Sequence, residues 1–213
     1  MNRRKTISKE YIDNHGVVYF FILVLFLIGI IFGAVIVNSM DFKQKQDLLF
    51  YLDRFFGQLL EGPLVHKQDM LKSTIFYHIT YMLLLFVLGL SVIGMPVIWI
   101  LLFIKGLVVG FSVGFFVNAW GWQGLIFATA SIAPQNLIII PIYLVAGSLA
   151  MIFSLTLLRK IFARRVQQQP ILQPLIQYAS TFVVLIVALS LASVIETFIA
   201  NEAMEVVIRW IYS

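Results

Sequence analysis

Along the chain the hydrophobic positions fall into five long, nearly uncharged runs, at residues 16–37, 73–93, 97–119, 124–158 and 175–200. They show neither the strict alternation of a half-buried strand nor the one-sided 3.6-residue repeat of a helix packed on a water-facing core. Each is about 20 residues or longer, the length an α-helix needs to cross a hydrocarbon layer of about 30 Å. Inside a bilayer the backbone must satisfy its own hydrogen bonds, which leaves helices or closed barrels. The pattern predicts an all-α, polytopic membrane helical bundle of about five transmembrane helices, in a single integral membrane domain over residues 1–213. The first run is longer than a signal-peptide core and no small-residue cleavage site clearly follows it, so it is read as a retained helix.

Basic residues in short loops stay on the cytoplasmic side. With the N-terminus inside, the inner segments hold Arg3, Arg4, Lys5, Lys9, Lys105, Arg159, Lys160, Arg164 and Arg165, against only Glu10 and Asp13. The outer segments carry six basic residues against seven acidic ones. The bias predicts a cytoplasmic N-terminus, an outside C-terminus, an extracytoplasmic amphipathic loop over 39–72 and a cytoplasmic basic loop over 159–174. In the outer loop Leu48, Leu52, Phe55, Phe56 and Leu59 recur at helical spacing, with Asp47, Arg54, Gln58 and Glu61 opposite and Gly62-Pro63 as the stop. Such a helix lies on the outer leaflet or over the bundle, or offers its Phe-rich face as a candidate partner surface. The segment from Glu202 to the end, with Trp210 and Tyr212, reads as a second, shorter interfacial piece.

Composition agrees: 61% of residues are hydrophobic and 12% charged, where a soluble domain carries about 25% charged residues. With no cysteine, disulfides, thiolate chemistry and iron–sulfur clusters are excluded. The basic residues sit at helix ends and form no stripe with interleaved aromatics, so nucleic acid is not an expected partner. His15, His66 and His78 fall at different ends of the runs. No His-Glu-x-x-His, Gly-x-Ser-x-Gly or Walker-type loop is present. Neither an enzyme, a metal nor a cofactor is expected.

The candidate polar intramembrane residues are Lys105, Gln135, Asn136 and Glu196. Lys105 either marks the inner boundary or faces a polar cavity, and Glu196 is a boundary residue or a carboxylate neutralised in a cleft. Pro134 and Pro141 break the fourth run, with Gln135 and Asn136 between them to satisfy freed carbonyls or line a cavity. Gly106, Gly110 and Gly114 recur every four residues, as do Gly29 and Gly33. These are helix-packing stripes, for use within the chain or in a possible homodimer.

These features together resemble the stage II sporulation protein M family. The resemblance covers essentially the full length. It rests on the basic N-terminal tail with the Gly29/Gly33 helix, Lys105-Gly106-x-x-x-Gly110-Phe111-x-x-Gly114, Pro134-Gln135-Asn136 with Pro141, and Ile195-Glu196. Where members of the wider family carry Pro-His-Gly-x-x-Glu-x-Pro, this chain has Gln135, Asn136 and Ile139, which favours a scaffold over metal or proton chemistry. The resemblance implies a bacterial cell-membrane protein enriched at the sporulation septum and the engulfing membrane. It implies a scaffold that anchors two peptidoglycan-acting partners, an amidase and a lytic transglycosylase, on the outer face. The alternative from the residues themselves is a transporter or channel subunit with a polar path along Lys105, Asn136 and Glu196.

Overall fold

The computed structural model describes the backbone of residues 2–61, 67–162 and 172–211, and the side chains of 15–54, 57, 71–134, 136–161 and 172–194. Among the described residues all regular structure is helical: α1 (Asn2–Ser39), α2 (Phe42–Glu61), α3 (Lys67–Gly89), α4 (Gly94–Trp120), α5 (Trp122–Ser131), α6 (Ala133–Phe162) and α7 (Leu172–Ile211). Five stretches are long and apolar enough to cross a membrane: His15–Ser39, Leu71–Gly89, Gly94–Trp120, Asn136–Ile161 and Leu172–Val194. Large apolar side chains such as Phe20, Ile31, Val183 and Val184 cover the outside of the bundle, where lipid would be their solvent.

Three element boundaries differ from the expectation. Helix α1 starts inside the basic tail, at Asn2, because no Gly or Pro interrupts residues 2–15. Helix α7 continues through 202–211 as one helix with the fifth run, not as a separate interfacial piece, for the same reason. The fourth run breaks once, at Ile132, and not at both prolines. Pro134 lies in the first turn of α6, and its ring disfavours helical backbone just before it. Pro141 remains inside a continuous α6.

The tightest packing joins α1 to α4, which run parallel. A Cβ on Gly29 would collide with the Phe103 carbonyl, and one on Gly106 with the Phe26 carbonyl. Gly33 meets the backbone of Leu107 and Phe111 in the same way, and Gly110 that of Ile30. Gly114 is looser, its added Cβ falling 3.2 Å from Ala34 Cα. The glycines of the first and third spans thus face each other, which brings backbone against backbone.

Helix α6 is the central element: 56% of its most apolar stretch is buried, against 17–28% for the other spans. Its small residues Ala146, Ser148, Ala150 and Ser154 are fully buried. They let α3, α4 and α7 close around it, and Ser154 donates to the Ser91 carbonyl (2.9 Å) in the α3–α4 link. Beside it Tyr178 of α7 stacks on Phe153 and Phe86, with ring centroids 4.4 Å and 5.0 Å away. Its hydroxyl donates to the Phe86 carbonyl at 3.0 Å. Tyr178→Phe is expected to lower stability in mixed micelles by about 1 kcal/mol while keeping the stack; no change would show that bond to be idle.

From α4 the chain turns into α5 through Gly121 alone, at φ +57°, a conformation that glycine adopts without strain. Phe127 then packs edge-on to Phe116 at 4.7 Å. Helix α2 is outside the spans, and among the described residues it lies along no other helix.

Candidate functional site

A polar cluster is built by α3, α4 and α6. Tyr77 and Tyr81 are four residues apart on α3 and therefore share a face, and α6 adds Tyr143 from the other side. Lys105 reaches into the space between them. Its Nζ lies 4.6, 4.7 and 4.6 Å from the ring centroids of Tyr77, Tyr81 and Tyr143, and it donates to Tyr77 Oη at 3.0 Å. The other two hydroxyls are also engaged. Tyr81 donates to the Leu101 carbonyl (2.9 Å), one turn before Lys105, and Tyr143 Oη is 2.6 Å from His78 Nδ1.

Lys105 is the twelfth residue of a 27-residue helix, about 16 Å along the axis from its start. The helix begins at Gly94, one turn before Val97, which puts Lys105 near the middle of this apolar helix. A lysine there costs about 2.5–3.5 kcal/mol by insertion scales. A desolvated cation over an aromatic face recovers about 2 kcal/mol. Three rings and a hydroxyl are therefore sufficient to hold this cation without a carboxylate.

Next to the cage is a cavity of about 240 Å³, lined by His78, Lys105, Ser112 and Asn136 among the apolar Val108, Val109, Ile132 and Ile139. The Asn136 amide Nδ2 donates to the Ile132 carbonyl at 2.9 Å, so this side chain braces the α5–α6 break while its body lines the cavity. The structure thus brings Lys105 and Asn136 together. Glu196 is on α7, and its side chain and that of Gln135 lie outside the described residues. The five packing glycines all lie in the α1–α4 contact. Among the described residues no three His, Asp or Glu side chains gather into a metal-binding group.

On α2, Leu48 and Leu52 are half-buried while Phe50 and Tyr51 are exposed and in edge-on contact, 6.2 Å between centroids. The side chains of Phe55, Phe56 and Leu59 lie outside the described residues. Sequence reasoning missed Tyr77, Tyr81 and Tyr143 as partners of the lysine. The available signal was Tyr77-His78-x-x-Tyr81, a polar face in an otherwise apolar run; Tyr143 carries no local signal.

Compared with known proteins, the chain matches the model of the family described as Stage II sporulation protein M over residues 22–201. That stretch includes the α1–α4 glycines and the whole tyrosine cage. No curated protein and no solved structure matches the chain significantly.

Proposed function

The chain belongs to the stage II sporulation protein M family, a sporulation-related membrane family not known as one of enzymes. From that membership we propose that it is a non-enzymatic scaffold of the bacterial cell membrane. It anchors and recruits peptidoglycan hydrolases, an amidase and a lytic transglycosylase, at the sporulation septum, as septal membrane migration and engulfment of the forespore require. Its N-terminus is cytoplasmic and its C-terminus outside, as the basic residues at the inner ends of the spans favour.

The observation that supports recruitment is α2. It is a 20-residue amphipathic helix outside the spans, packed along no other helix among the described residues and carrying exposed aromatic side chains. An apolar helix face free of the bundle is suited to a groove on a partner. The double substitution Phe55→Asp/Phe56→Asp is expected to abolish co-purification of the hydrolases from sporulating-cell membranes, while the chain itself inserts at normal levels. Undiminished co-purification would remove α2 from the proposal.

A second reading, a transporter or channel subunit, draws on the cavity that Lys105 and Asn136 share. It predicts solute flux in reconstituted vesicles that Lys105→Met removes.

A further inference from the structure

Among the described residues of the five spans, Lys105 is the only lysine or arginine far from the end of its stretch; Lys72, Arg159 and Lys160 each lie within two residues of one. Among the described residues the same spans contain no Asp or Glu. The cage makes the cation tolerable, yet an ammonium group has three N–H donors, and the rings offer it faces, not a counter-charge. The cavity beside it is polar, with His78, Ser112 and Asn136 placed around one end of the lysine. Tyr77 (54% exposed), Val108 (53%) and Ile104 (46%) mark this side as the outside of the bundle. The cavity is therefore reached sideways, from the lipid.

Depth restricts what can arrive there. Phospholipid headgroups lie about 15 Å from the bilayer centre, and Lys105 is near the middle of α4. An approaching group must be embedded in the hydrocarbon, and the charge it must complement is positive. Ionisable groups inside membranes pair with one another. We infer that Lys105 docks a transmembrane helix of a different protein that carries an Asp or Glu at mid-span. The carboxylate takes the free side of the ammonium, and Ser112 and Asn136 supply further donors. Among the described residues, the spans of a second copy of this chain offer no carboxylate. The inference concerns the middle of the bilayer and stands whether or not α2 recruits enzymes outside.

The absence of cysteine permits a direct test with the full-length chain. Val108→Cys places one thiol at the mouth of the cavity. The probe is a single-span, leucine-rich peptide with one Glu at mid-span and one Cys a turn away, co-reconstituted in phospholipid vesicles and oxidised. Polar contacts between membrane helices contribute about 1–2 kcal/mol, so cross-linking is expected to be about tenfold greater with the Glu probe than with its Gln or Leu counterparts. Lys105→Met in the Val108→Cys chain should reduce the Glu probe to the level of the Gln probe, and Lys105→Arg should keep most of the yield. Folding of the Lys105→Met chain is checked separately by an internal disulfide between cysteines at 34 and 114, whose Cβ atoms would be 3.5 Å apart. Equal cross-linking of Glu and Leu probes, or full cross-linking of the Glu probe in a folded Lys105→Met chain, would overturn the inference.

Discussion

Gly110→Leu is expected to force α1 and α4 apart and leave an inserted chain that cannot complete its packing. The Cβ of even an alanine at this position would fall onto the Ile30 carbonyl, with the Ile30 Cα only 2.7 Å away. The obstacle is helix backbone, which cannot rotate aside as a side chain does. Overpacking costs about 1–3 kcal/mol where neighbours can adjust, and here the adjustment must move a whole helix. Several kcal/mol is a large part of the 5–15 kcal/mol that typically separates folded from unfolded. Two measurements follow the effect: unfolding in mixed micelles, and the yield of the disulfide between cysteines at 34 and 114. Gly16→Ala is the control, since nothing lies within 4 Å of its added Cβ, and there alanine should be neutral or slightly stabilising. An undiminished disulfide in Gly110→Leu would contradict the α1–α4 contact.

The spacing of those glycines announces close helix contact but carries no information about the partner. Gly29-x-x-x-Gly33 is compatible with α4, with another span, or with a second chain; only the folded structure pairs it with residues over 70 positions later. The five spans were legible for the opposite reason. A run of about 20 apolar residues has one stable solution in lipid, whatever surrounds it. The break in the fourth run shows an intermediate case. Two prolines signalled irregularity, and only the Pro134 side of the run bends, because α6 accommodates Pro141 within an unbroken helix.

The second large effect concerns the rings around Lys105. Replacing Tyr81 and Tyr143 together with leucine is expected to destabilise the bundle by about 2–4 kcal/mol, from two lost cation–aromatic contacts and the loss of the hydrogen bonds of Tyr81 to Leu101 and of Tyr143 with His78. The same pair of substitutions made in a Lys105→Met chain should cost about 2 kcal/mol less, because no cation is then stranded. The difference between the two backgrounds is the coupling energy of a double-mutant cycle. A coupling near zero would reduce the cage to ordinary packing. Lys105 alone was legible as a polar outlier, but its depth turned on whether the helix began at Gly94 or three residues later. The rings lie 28, 24 and 38 positions from it in the chain, beyond the reach of any local pattern.

The α1–α4 pairing also bears on how the chain is made. Helix α1 is the most apolar span, with a mean hydropathy of 3.3, and α3 the least, at 1.5. Synthesised before α4, α1 can enter the bilayer unaided and must then wait, its glycine notch facing lipid, until α4 follows. The weakly apolar α3, bearing Tyr77 and Tyr81, gains from entering together with α4 as a hairpin, since these two hydroxyls then meet Lys105 and Leu101 at once. Assembly therefore has a natural order, in which the arrival of one helix closes the notch in α1 and shelters α3. A chain truncated before Gly94 would display both unfinished surfaces to the membrane's quality-control proteases.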